Sequence, residues 1–136
     1  MKALSIHPYW AGMIFAKKKT VEVRTWKTDY RGDILICSTA KKVKDTIPSH
    51  ALCVVKLVDC VPMKKSHIKA ALIHPADYSE DLYAWILDDV RYIVPIPVKG
   101  KLSLWNYDGD IEYLQEAKTD EEDEALYHKY YEPLFV

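Results

Sequence analysis

Apolar and polar positions alternate along Lys19-Thr20-Val21-Glu22-Val23-Arg24-Thr25-Trp26, the period of a pleated strand whose successive side chains point to opposite faces. Thr20, Glu22, Arg24 and Trp26 share one face, and Val21 and Val23 the other. With the valines toward a core, a carboxylate, a guanidinium and an indole stand in a row on the opposite surface. Upstream, Lys2–Ile6 reads as a first short strand. His7-Pro8 then opens a helix, with Pro8 at the first helical position, where its missing N–H costs nothing. Trp10, Met13 and Ile14 form an apolar stripe that Ala11 and Phe15 widen. The helix runs out into Lys17, Lys18 and Lys19, cations suited to its negative end.

Downstream, Lys27–Asp33 is a polar turn in which Gly32 can take positive φ. Ile34–Ser38 is an almost unbroken apolar run of strand length, which predicts burial on both faces. Ala51–Val61 carries the longest strand signal; Asp59 inside it needs an arginine or a backbone amide if it is buried. A weak helix is expected at Ile68–Ile73 and a strand at Leu82–Leu87. Asp88-Asp89 reads as a turn before a returning strand over Tyr92–Val98, where Pro95 and Pro97 demand an edge or irregular pairing. Leu102–Trp105 can add a last short strand. At Asp108 the character changes to acidic. Thr119 and Glu122 have capping-box spacing, and an acidic first turn follows. The pattern predicts an α+β fold: a small mixed β-barrel with one or two short flanking helices over 1–107. An acidic C-terminal extension over 108–136, with its own helix, packs on or near that barrel.

Bulk properties narrow the function. The 136 residues, 49% hydrophobic and 29% charged, suit a globular protein with a single core. Only four glycines occur, and neither the GxxxxGK[ST] nor the GxGxxG phosphate-loop pattern is present. No apolar run approaches the roughly 18 residues that span a bilayer, and Met1–Ser5 lacks a signal-peptide core. The expected setting is therefore the cytoplasm, with no membrane contact. Cys37, Cys53 and Cys60 are far apart and lack CxxC spacing, and the histidines show no HExxH. Neither a disulfide framework nor a metal site is expected, and no cofactor is implied. The net charge of −1 conceals a division. Residues 1–69 hold fourteen Lys and Arg against five acids, a net of +9, and the remainder five against fifteen, a net of −10. Such asymmetry suggests a positive region for a polyanion.

The candidate ligand-binding residues follow from that chemistry. Lys19 and Lys41 can neutralise phosphate, Arg24 can fork onto phosphate or a base edge, and Trp26 can stack on a base. Glu22 can orient Arg24 or accept from a base amino group. Ser38, at the mouth of a buried strand and followed by Lys41 and Lys42, is a further phosphate contact. As an enzyme, the chain would use Lys19 as base or electrostatic stabiliser and Glu22 as general acid or base. The expected partner is nucleic acid or a nucleotide; the acidic tail offers a surface for a protein.

Several of these segments together resemble the ASCH domain. They are Leu4–Ala11, the Lys19-x-x-Glu22-x-Arg24-x-Trp26 run, Arg31-Gly32, Ser38–Lys42, Leu57–Cys60 and Val98–Gly100 through Trp105. The likeness covers roughly residues 3–107 and is greatest to the version in the eukaryotic activating signal cointegrator. It implies a PUA-like β-barrel with a cleft beside the first helix. It also implies an RNA- or DNA-binding role, some members being hydrolases. One branch hydrolyses acetylated cytidine with a lysine, a threonine and a glutamate. Lys19 matches that lysine, but Glu22 stands where the branch has threonine, and a carboxylate cannot act as that hydroxyl nucleophile. Lys17 occupies a position where relatives often have glycine.

Overall fold

The computed structural model describes all residues 1–136. Six strands form a single mixed sheet: β1 (Lys2–Ile6), β2 (Val21–Arg24), β3 (Gly32–Ser38), β4 (His50–Pro62), β5 (Tyr83–Pro97) and β6 (Leu104–Asn106). Their order is β2-β5-β4-β3-β1-β6. β1 and β3 are parallel, from Lys2↔Ile34 to Ile6↔Ser38, and every other pair is antiparallel. Three α-helices accompany the sheet: α1 (Pro8–Phe15), α2 (Ile68–Ala71) and α3 (Asp120–Tyr130). The result is an α+β half-barrel.

The parallel pair explains the apolar run at Ile34–Ser38. β3 lies between β1 and β4, and Ile34 to Cys37 are all fully buried, since a strand covered on both faces has no polar side to show. Leu4, Ile6, Ile34, Ile36, Val55, Leu57 and Trp85 meet in the main core, where Ala11 and Ile14 of α1 cover them. A smaller cluster, Val21, Met63, Ala71 and Ala84, lies between the other face of the sheet and α2.

The expected turn at Asp88-Asp89 is instead an irregularity within one continuous strand. β5 runs unbroken from Tyr83 to Pro97, and Asp89 takes φ 53° where the pairing with β4 slips register. Such bulges bend a strand without ending it. Pro95 and Pro97 lie beyond β2, which pairs only with residues 83–86 of β5, so no ladder to β2 is broken. Asp59 also differs from expectation, because it is exposed. Its carboxylate still has both expected partners, accepting from Arg31 at 3.3 Å and from the Cys60 N–H at 2.9 Å.

α1 ends in a Schellman arrangement. Lys17 N–H donates to the Ile14 carbonyl and Lys18 N–H to that of Met13, both at 3.0 Å, while Lys17 takes the left-handed φ of 62°. The acidic segment is tied into the barrel. Val94 and Leu114 donate backbone hydrogen bonds to Glu112 and Tyr92. Tyr131, just past α3, is buried in the main core with its hydroxyl on the carbonyls of Leu52 (3.1 Å) and Ile93 (2.6 Å). Thr119 caps α3 by accepting from Glu122 N–H at 3.1 Å. The Glu122 carboxylate takes the Lys118 N–H rather than that of Thr119, so the reciprocal half of the box is displaced by one residue.

Candidate functional site

β2 places its side chains as the alternation requires, but both of its faces are covered. Val21 and Val23 pack into the cluster beneath α2. Glu22 lies opposite Trp85 and Arg24 opposite Tyr83, so the polar row faces the inside of the curled sheet rather than water. Glu22 is only 6% exposed. Trp26 packs edge-on against Trp85 at 4.7 Å, and its backbone carbonyl accepts from the Trp85 indole N–H. It is half-buried, not a free-standing platform.

Lys19 precedes the strand, so strand parity does not bind it. Its own N–H donates to the Met13 carbonyl past the end of α1, which turns the side chain inward until the residue is 3% exposed. Nζ donates to the Ala71 carbonyl at 2.5 Å. It lies 3.7 Å from Glu22 Oε1 and 4.8 Å from the centre of the Trp10 ring. Burial holds the Lys19 ammonium below the ordinary lysine range, with the Glu22 carboxylate opposing that shift and the Arg24 charge adding to it. Arg24 completes the chain of contacts: Nη2 lies 3.2 Å from Glu22 Oε2 and donates to the Ser5 carbonyl at 3.1 Å.

The Arg24–Ser5 bond also closes the fold. Three strands separate β2 from β1 in the sheet, so the contact exists only because the sheet curls back on itself. β6 pairs β1 only as far as Leu4, which leaves the Ser5 carbonyl available at the seam. There Arg24 is the member that reaches water, its side chain 24% exposed, and its Nε has no acceptor within the protein. The trio carries two cations and one carboxylate, an excess of one positive charge, beside Trp10 and the exposed Tyr9.

The other expected contacts lie apart from this trio. Ser38 is buried, donating to the His50 carbonyl at 3.3 Å and accepting from the His50 N–H at 3.2 Å, so its hydroxyl ties β3 to β4. Lys41 is exposed on the following loop. Of two cavities, of about 730 and 340 Å³, neither is lined by Glu22, Arg24, Trp26, Ser38 or Lys41; Lys19 lines the smaller. Trp10 and the Ser5 carbonyl join the site without having been expected there. Trp10 reads in the sequence as core, and its place in the first turn of α1, close to the end of β1, was the available hint.

The sequence matches the ASCH domain family over residues 4–97. It is 29% identical to human activating signal cointegrator 1 over 132 aligned residues, covering 79% of this chain and 22% of that protein. The mouse protein is 27% identical over the same shares. The chain thus spans about a fifth of the length of these relatives. In structure it is similar to ASCH from Zymomonas mobilis, with a TM-score of 0.60, 22% identity and 93% of each chain covered. Matched over more than half its length, this chain belongs to the ASCH domain family.

Proposed function

We propose that this ASCH domain binds a nucleotide or single-stranded nucleic acid at the barrel seam. Arg24 meets phosphate or a base edge, and Lys19 and Glu22 hold Arg24 in place from beneath. The observation that carries the reading is the Lys19–Glu22–Arg24 trio, buried at Lys19 and Glu22 and reaching water at Arg24, with its unbalanced positive charge. A buried ion cluster is a poor way to stabilise a fold, since apolar residues of similar volume commonly do as well or better. Its place at the seam beside Trp10 and Tyr9 suits the recognition of an anionic, planar ligand. Lys41 and its neighbours add long-range attraction from the exposed loop. The expected outcome is salt-sensitive binding of labelled RNA or DNA oligonucleotides in fluorescence anisotropy. Arg24→Gln weakens it strongly and Lys41→Gln mildly. Affinity indifferent both to salt and to Arg24→Gln removes this reading.

One observation favours a second reading, hydrolysis of a modified nucleoside. An ammonium held below its ordinary range, within 3.7 Å of a carboxylate, is a fitting proton-transfer pair. In that reading Lys19 serves as base and Glu22 as its partner. Incubation with acylated nucleosides and short RNAs tests it, and absence of turnover retires it.

A further inference from the structure

A cavity of about 730 Å³ lies away from the seam, between the irregular part of β5, residues 113–120 and α3. Its size is that of a small-ligand site. Phe15, Tyr92, Tyr113 and Tyr127 supply aromatic wall. Carboxylates arrive on three separate elements: Asp89 from β5, Glu116 from the segment before α3, and Asp120, Asp123 and Glu124 from α3 itself. Of these only Asp89 is paired, with Arg91 at 3.2 Å, and Arg91 is further held by Asp33. Glu116, Asp120, Asp123 and Glu124 form no ion pair. Three basic residues, Lys17, Arg91 and Lys118, also line it against five acids, and Lys17 Nζ lies 5.5 Å from the centre of the Tyr92 ring.

We propose that this cavity is a second ligand site, separate from the nucleic-acid seam, and that it takes a linear aliphatic polyamine. Aromatic faces attract alkylammonium groups through their quadrupole. The methylene stretches of such a ligand pack on the same rings, while the ammonium ends reach carboxylates carried by different elements. A single ammonium would leave most of those carboxylates unmatched; several, spaced along a flexible chain, match carboxylates spread over three chain segments. Lys17 shows the mode in place, its long side chain bringing one ammonium onto Tyr92. The charge also reaches the ring hydroxyl: burial, then nearby Cys53, then Asp123 push Tyr92 up to about 12.

The test is isothermal titration of the whole chain with spermidine, beside a lysine-rich peptide and tetramethylammonium, in physiological salt. Saturable one-to-one binding of spermidine is expected. Lys17→Met should tighten it severalfold by removing the resident cation. Asp123→Asn with Glu116→Gln should weaken it about tenfold, the product of two ion contacts of modest strength. Asp123 also belongs to the first turn of α3, so Glu116→Gln, which lies outside the helix, is measured alone with the fold checked by circular dichroism. It should weaken binding about threefold, one such contact. Absence of saturable heat overturns the proposal, as does spermidine affinity unchanged by Glu116→Gln. Tighter, Glu116-dependent binding of the peptide overturns the polyamine assignment in favour of a protein partner. Tighter binding of tetramethylammonium overturns the role given to the distributed carboxylates.

Discussion

Replacing Glu22 with Gln removes the only negative charge between two cations and keeps the side chain's shape. Lys19 is 3% exposed, so its ammonium would keep the Ala71 carbonyl and the Trp10 ring but lose its counter-ion. Removing one partner of a buried pair costs about 3–5 kcal/mol, and the contacts Lys19 retains place this case near the lower end. Against a total stability of about 5–15 kcal/mol for a domain of this kind, that is a large fraction. With a urea m-value of about 1–3 kcal/mol/M, the unfolding midpoint should fall by at least about 1 M. The pH dependence separates this cause from generic damage. Burial already lowers the Lys19 pKa in the folded state, and losing the carboxylate lowers it further. Between the folded and unfolded values the unfolded chain binds more protons, so stability contributed by this group rises with pH across that window. Glu22→Gln should therefore cost most near neutrality and progressively less toward pH 10, as Lys19 sheds its proton. Urea titrations at several pH values between these limits measure it. A loss below about 1 kcal/mol, the range of a surface pair, or one that is flat with pH, refutes the reasoning.

Three further outcomes are expected. Lys17→Gly should raise stability by about 0.5–1 kcal/mol, because the left-handed cost to an L-residue exceeds glycine's added chain entropy; Lys17→Ala should bring no such gain in thermal melts. Tyr131→Phe leaves the Leu52 and Ile93 carbonyls without their donor and should cost about 1–3 kcal/mol by urea denaturation; no loss would mean the C-terminal segment is not anchored through that hydroxyl. Burial pushes the Cys37 thiol up to about 12 and raises Cys53 as well, whereas Cys60 is partly exposed. A thiol reagent at pH 8 should label Cys60 alone in the folded chain and all three cysteines in urea.

Periodicity revealed which residues share a face of β2 but not which face meets the larger core. Val21 and Val23 looked like the buried side, and they do pack, yet Glu22 is nearly as buried as Val21. The cause is α2: four residues long, it covers the valine face and leaves the charged face to the inside of the curl, a tertiary arrangement with no local signal. The unbroken burial of Ile34–Ser38 was legible because the composition of a parallel strand differs in kind from that of a half-exposed one. β5 was misread at Asp88-Asp89 because two adjacent aspartates suit a turn and a bulge equally. The convergence of Lys19 with Glu22 was not legible from strand parity, since it depends on how α1 ends. Lys17, in the position where a glycine would be at ease, is the one local sign of that exit.

The helix exit and the site are thus mechanically one object. The left-handed turn at Lys17 lets Lys19 donate back to Met13, which aims its ammonium at Glu22. Glu22 in turn fixes the guanidinium that spans the seam to Ser5. Arg24 therefore has two tasks, closing the curled sheet and presenting the most exposed charge of the trio. A ligand that draws Arg24 toward solvent must compete with the Ser5 carbonyl and the Glu22 carboxylate at once, so its gain is the difference between those contacts and its own. Loosening the inner contacts without deleting the charge should then shift affinity and seam stability in opposite directions. Glu22→Gln is the variant that separates them: it should weaken the fold while leaving Arg24 freer to meet an anion. A fall in both would assign Glu22 a direct part in holding the ligand.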